Sequence, residues 1–309
     1  MIKQILRIVL NRNVILISAV ILGLTIGENA THLKPYTIYI LMVTMLFSMT
    51  GINTSSLFPL KSIVKPMLIG TFLNYFLFGT VVVFLAWILM PNEQLFYGFV
   101  VIATAPPGVA IVPFSGILKG NMDYSIIGVF GAFLASVIIT PVIISLLSGA
   151  EATVPPGELI VLMIKLIIVP LVISRLLLMK QVFPVVEKIR GKMVDVGFAL
   201  IIFTAVGMNR HVFFQNYDVL VLISLVLLAG TFGIGSIYEH VMKKTTQKSE
   251  FTIAQTLLLT IKSSGFSVVT AITLFGEKAA IPSAVLAVIV LLYLLFLSSR
   301  IELKKVFKN

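Results

Sequence analysis

Ten long apolar runs dominate this chain. They lie at approximately 9–27, 35–51, 62–89, 94–118, 122–147, 157–179, 193–208, 217–241, 251–275 and 279–300. A helix needs roughly 20 apolar residues to cross a bilayer. In hydrocarbon every backbone N–H and C=O must be satisfied internally, so a continuous apolar run of this kind crosses as a helix. The expected fold is an all-α membrane protein with ten transmembrane helices. Only 11% of the residues are charged, against about a quarter in a soluble domain. The segments between the runs are short and leave no room for a soluble domain.

The formal net charge of +11 could suggest nucleic acid, but its distribution argues otherwise. With the N-terminus placed inside, 18 of the 23 Lys and Arg fall on the inner side. Only Lys34, Arg210 and Lys278 fall outside, and Lys165 and Lys262 lie within runs. This is the positive-inside pattern. It predicts a multi-pass protein of the plasma (inner) membrane with both termini cytoplasmic. The basic excess then meets lipid headgroups and not a nucleic acid. The first run lacks a small-x-small cleavage site and reads as a retained span. There is no cysteine, which excludes disulfide and thiolate chemistry.

The chain divides near Glu151, with five runs on each side, giving units 1–150 and 151–309. An odd number of spans per unit forces opposite orientations, the plan of two inverted five-helix repeats. The fourth run of each unit is interrupted. The first interruption is Pro106-Pro107-Gly108, and the matching place in the second holds Lys262-Ser263-Ser264-Gly265. Proline lacks an N–H and clashes with the preceding turn, while glycine tolerates reversed dihedrals. The Ser-Ser-Gly break is the weaker, since that sequence also fits a kinked helix. Both runs end at a second glycine, Gly120-Asn121 and Gly276-Glu277. Unwound backbone at mid-membrane is tolerated where it lines a cavity or is buried in protein. Two breaks in matching positions therefore mark broken, crossing helices 4 and 9 around a binding site.

Several stretches resemble the bile acid:sodium symporter family. They are MLFSMTGINTSSLF at 45–58, APPGVAIVPFSGILKGN at 105–121, TPVIISLL at 140–147 and the Ser-Ser-Gly of the ninth run. The resemblance covers nearly the whole chain. It implies a core domain of spans 3–5 and 8–10, a panel domain of spans 1–2 and 6–7, and substrate held between them. It also implies sodium-coupled transport of organic anions, and here the residues depart from the family. One sodium site uses a Ser-Asn pair where Ile111 and Val112 stand. Ser125 remains in span 5, but Val129 replaces a threonine. A glutamate shared by both sites is Leu258, and glutamines of the second site are Asn74 and Lys262. Sodium needs about six hard oxygen ligands, by the same logic as calcium. All twelve acidic residues fall in loops or at run ends. The sodium sites are expected to be gone.

Lys262 is expected in the last turn of half-helix 9a, its ammonium on the free carbonyls there, where relatives hold a cation. A lysine at the centre of a span costs about 2.5–3.5 kcal/mol on insertion scales. A helix terminus returns about 0.3–2 kcal/mol, with charge-assisted bonds from Asn74 and the break adding to it. Lys262 sits about 16 Å from each face at 1.5 Å per residue, too far for its stem to snorkel. The residual penalty leaves two roles open, proton coupling and a permanently charged structural cation. Lys165, near the outer end of span 6, is expected to snorkel.

Half-helices 4b and 9b should start near Gly108 and Gly265, their N-termini favouring an anion. Thr104, Ser263 and Ser264, with Ser267 and Thr270, offer hydroxyls there, although serine and threonine commonly bond their own backbone. Phe114, Tyr75 and Phe266 read as packing residues. The expected function is sodium-independent secondary transport of a small or medium organic anion by alternating access, with membrane lipids as a further partner and protons as a candidate coupling ion. Alternatives are a passive anion channel or pore, a sodium-coupled symporter with a rearranged site, and a non-transporting sensor. No cofactor, metal or catalytic residue is indicated. His32, His211 and His240 lie near loops, and neither a phosphate loop nor a Ser-His-Asp set stands out.

Overall fold

In the computed structural model, the described residues are 12–52, 60–108, 110–148 and 155–306. Lys3, Arg7, Lys308, the end of the 45–58 stretch and the expected boundary at Glu151 lie outside them. The described residues are helical almost throughout. Seven helical stretches are long and apolar enough to cross a membrane: Val14–Met49, Lys61–Leu89, Met122–Leu147, Gly157–Leu177, Phe183–Met208, Tyr217–Met242 and Lys278–Arg300. Two shorter apolar helices accompany them, Glu93–Thr104 and Ser264–Phe275. Large side chains such as Trp87, Leu146 and Ile138 are exposed on the outside of the bundle, as lipid-facing residues must be.

The first two expected spans are joined. Helix α1 (Arg12–Ile26) runs through a 3-10 stretch, Gly27–Tyr36, into α2 (Thr37–Met49). The stretch carries Glu28, Lys34 and Pro35. Helix α3 (Leu60–Thr71) passes through a π-helical turn, Phe72–Leu77, into α4 (Phe78–Leu89). Helix α5 (Glu93–Thr104) starts at Asn92, whose side chain accepts from Leu95 N at 3.0 Å, an N-cap that satisfies one of the free first-turn donors. After the first break come α6 (Ile111–Ile117) and α7 (Met122–Ser148).

In the second half, α8 (Pro156–Met163) leads through the π-helical turn Ile164–Ile168 into α9 (Val169–Leu177). Helix α10 (Phe183–Met208) begins ten residues before the run expected at 193–208. Its first turns are mixed apolar and charged, so hydropathy alone misplaces its start. Then follow α11 (Arg210–Gln215), α12 (Tyr217–Leu228), a π-helical turn Ala229–Gly233 and α13 (Ile234–Met242). Helices α14 (Ser249–Thr260) and α15 (Ser264–Phe275) flank the second break, and α16 (Ile281–Val306) closes the chain.

Helix α10 packs on α1 and α2, and α9 packs on α2. Helix α7 packs on α3, α5 and α14, and α15 packs on α5 and α16. Residues 98–104 of α5 and 254–260 of α14 are all buried. These two short helices therefore sit inside the protein and not at its lipid face.

Both broken runs end in tight corners. After α6, Lys119 takes φ 60, Gly120 N bonds Ser115 O at 2.7 Å and Lys119 N bonds Gly116 O at 3.2 Å. That pair of bonds is a Schellman closure, which satisfies the last carbonyls of the helix. After α15, Gly276 takes φ 85, a conformation that a side chain would strain.

Candidate functional site

The first break can be followed carbonyl by carbonyl. In a continuous helix the N–H groups of residues 106 and 107 would bond Ile102 O and Ala103 O. Both residues are proline and have none to give. Ile102 O is taken by Ala105 N at 3.3 Å. Thr104 O accepts from the hydroxyl of Thr140 at 2.7 Å, and Ala105 O accepts from Asn74 Nδ2 at 3.1 Å. Ala103 O has no partner from its own helix.

The second break contains no proline, yet the backbone leaves the helix at Ile261 (φ −98, ψ 104) and re-enters it after Ser263 (φ −79, ψ 91). The two breaks then pair with each other. Gly108 N bonds Ile261 O at 2.9 Å and Ser263 N bonds Pro106 O at 3.0 Å, forming an antiparallel bridge of Pro107 and Lys262. A Cβ at Gly108 would lie 3.0 Å from Lys262 O and 3.0 Å from Ile261 Cγ2. Only glycine allows so close an approach without a shift.

The bridge aims Lys262 into the protein. It is 2% exposed, and its Nζ donates to Asn74 O at 2.8 Å, Ala103 O at 2.9 Å and Ala105 O at 2.9 Å. Asn74 O is free to accept because of the π-helical turn, where Phe78 N bonds Leu73 O and not Asn74 O. The rings of Tyr75 and Phe78 lie 4.9 and 5.1 Å from the ammonium, within cation–π range. The arrangement differs from the one expected. Lys262 lies beyond the end of its own helix, and its ammonium serves the carbonyl end of α5 and the π-helical turn. The side chain of Asn74 bonds Ala105 O, and Asn74 Oδ1 has no partner among the described residues.

The stoichiometry fits the charged form. An ammonium has three N–H donors and meets three carbonyl oxygens. A neutral amine would have two donors and would turn its lone pair towards the third oxygen. Each charge-assisted bond contributes about 1.5–3 kcal/mol. Three of them offset an insertion cost of about 2.5–3.5 kcal/mol.

Pro106, Pro107, Gly108, Thr104, Asn74, Lys262, Ser263, Ser264 and Gly265 come together around this bridge. Ser125 stands apart and donates to Ser115 Oγ at 2.9 Å. Ile111, Val129 and Leu258 belong to the buried apolar core, and Val112 packs against it. The side chain of Leu258 rests on Gly128, where a Cβ would collide with it. Phe266 is buried, and Lys165 is exposed. Helix α6 is seven residues long and starts at Ile111, three residues after Gly108. Helix α15 starts where expected. Its cap residue Ser263 makes no side-chain cap bond, and the buried Ser263 Oγ has no partner among the described residues.

A cleft of about 550 Å³, its open mouth included, runs past this bridge. Gly108, Lys262, Ser263 and Ser264 line it, together with Phe198 of α10 and Leu294 of α16. Phe114 lines it too. Its walls also include Arg12, at the start of α1, which in the sequence is one of the inner-side basic residues and carries no other signal. Arg12 faces Asp195 of α10, Nε to Oδ1 at 3.4 Å. Asp195 was expected at the edge of a run. Because α10 begins early, it lies well inside the helix and is half-buried, so a carboxylate does stand beside the cleft. The only hint in the sequence was the charged but helix-compatible stretch preceding the apolar run.

Comparison with known proteins gives two findings. A model of the Sodium Bile acid symporter family matches residues 38–216, more than half of the chain. The matched region contains the first break and ends before α12, so Lys262 lies outside it. A protein of Bacillus subtilis (strain 168) described as the uncharacterized sodium-dependent transporter YocS is 24% identical over 227 residues, covering 72% of this chain and 69% of that protein.

Proposed function

This chain belongs to the Sodium Bile acid symporter family, and on that premise we propose that it is a sodium-independent secondary transporter of small or medium organic anions, with Lys262 in place of the sodium ion. Family membership makes the chain a membrane transporter and not an enzyme. The observation that carries the finer reading is the ammonium of Lys262 on three backbone carbonyls at the meeting of the two breaks. The apolar packing of Ile111, Val129 and Leu258 supports the loss of the other sodium site, since hydrocarbon cannot ligate a hard cation. The match of three donors to three acceptors favours a permanent cation over a proton carrier.

The seven long helical stretches expand to ten spans in this reading. Val14–Met49 counts as two spans joined by its polar 3-10 stretch, and each broken pair, α5–α6 and α14–α15, counts as one. The ten spans form two inverted repeats of five, with both termini in the cytoplasm. Spans 1, 2, 6 and 7 form a panel, the remainder form the core, and the two rock to give alternating access. The cleft between α10 and the bridge is the substrate route. The N-terminus of α15, with its uncapped N–H groups and the unpartnered Ser263 Oγ, supports an anionic substrate. Arg12, an inner-side residue on the positive-inside reading, lines the cleft, which supports an opening on the cytoplasmic side, while Lys34, an outer-side residue on that reading, bonds Glu277 at 2.6 Å.

A second reading, a sodium-coupled symporter with a rearranged site, draws on the sodium-dependent description of the Bacillus relative. Purified protein in liposomes separates the two. Candidate organic acids are offered in sodium-free buffer, with and without a pH gradient. Sodium-free uptake that ignores the gradient is expected, and uptake that requires sodium overturns the main reading. Lys262→Gln, which restores the family's residue without its glutamate, is expected to abolish uptake.

A further inference from the structure

Lys262 cannot supply the charge that recognises the substrate, because all three of its donors are spent on carbonyls. Of the residues lining the cleft, Arg12 is the other cationic one. Its guanidinium has five donors in a planar fork. Asp195 approaches it no closer than 3.4 Å, through Nε, which is long for a charge-assisted bond of about 2.7–2.9 Å. No other polar partner of Arg12 is seen among the described residues. The pair lies within one packed unit, since α1 and α10 pack on each other. It therefore does not latch the two sides of the cleft together. A half-buried guanidinium, loosely paired and lining a mostly apolar cleft, is suited to take a planar oxyanion from solution.

We propose that Arg12, on the wall of the cleft, is the residue that binds the anionic head group of the substrate, and that Asp195 is its resting counter-ion, exchanged for the substrate on binding. The assignment rests on the proposed function of the cleft. Asp195 serves two ends in this scheme. It keeps the guanidinium compensated when the cleft is empty, and it competes with weak anions, so that only a head group able to engage the fork at two points displaces it. Leu16, Phe198 and Leu294 then meet the apolar body of the ligand.

The chain has no cysteine, so one introduced thiol reports on the cleft cleanly. Val290, on the cleft wall of α16, is replaced by cysteine, and its labelling by a maleimide is timed in lipid nanodiscs. Octanoate is the probe and octanamide its neutral counterpart. Octanoate is expected to slow labelling several-fold and octanamide to have no such effect. Arg12→Gln should abolish the protection, and Arg12→Lys should weaken it by losing the fork. Asp195→Asn, which keeps Arg12, should bring protection at several-fold lower octanoate. An unchanged labelling rate without octanoate identifies the variants that keep the fold. Protection that survives Arg12→Gln overturns the role of Arg12 and leaves the cleft standing. Protection unchanged in Asp195→Asn overturns the exchange. No octanoate protection in the parent overturns the cleft as the anion site, and the assignment of Arg12 with it.

Discussion

The two breaks meet in one bridge but arise from different causes. The break after α5 is local. Pro106 and Pro107 withhold two donors whatever surrounds them, and the helix must end. The break after α14 has no such residue. Ile261, Lys262 and Ser263 could continue a helix, and leave it because their backbone groups bond Gly108 and Pro106 while Lys262 reaches three carbonyls elsewhere. The first break thus creates unsatisfied acceptors, and the second brings the donors that satisfy them. Each is incomplete without the other. A locally encoded defect can therefore impose a second, complementary defect far away in the chain.

This contrast is most severely tested at Lys262. Lys262→Met leaves Asn74 O and Ala103 O without partners, while Ala105 O keeps Asn74 Nδ2. An unsatisfied buried group costs about 1–3 kcal/mol, so a loss of about 3 kcal/mol or more is expected in thermal unfolding of the solubilised protein. A variant as stable as its parent would remove the tertiary cause of the second break. Next in size is Gly108→Ala, whose Cβ would press on Lys262 O and Ile261 Cγ2. Overpacking of this kind costs about 1–3 kcal/mol, and a neutral result would show that the bridge is looser than drawn.

Thr140→Val removes the partner of Thr104 O. A loss of about 1–2 kcal/mol is expected for a single buried acceptor, and no loss would mean that the carbonyl finds another donor. The smallest effect is expected from Pro107→Ala, about 0.4–1 kcal/mol through the freedom returned to the unfolded chain. The bridge and Lys262 should hold the break open even with the N–H restored. A much larger loss would show that proline alone maintains it. All four are read from the same melting experiment, so their order tests the comparison as much as their sizes.

How much of this was legible varies by residue. The apolar runs and the Pro-Pro-Gly break were plain, because hydropathy and a missing N–H belong to the residues themselves. Lys262 stands out as a charge within an apolar run, and bonds from Asn74 and the break are expected of it, yet the sequence points first to the carbonyls of its own helix, which it does not reach. The π-helical turn at Phe72–Leu77, which frees Asn74 O, leaves no mark that the apolar pattern reveals. Hydropathy puts the start of α10 too late, since its first turns carry charges that an apolar pattern discards. That displacement hid Asp195 from the cleft and made Arg12 read as an orienting charge only.

The sequence alone determined that the chain crosses a membrane in helices and where one helix must stop. Each of these follows from properties that a single residue or a short run carries. Only the tertiary structure decided what Lys262 binds, why the second helix opens and that Arg12 borders the cleft. The three carbonyls on the ammonium lie 188, 159 and 157 residues away along the chain. A hydrogen bond depends on separations of about 3 Å, and no local pattern can fix such a distance between segments so remote.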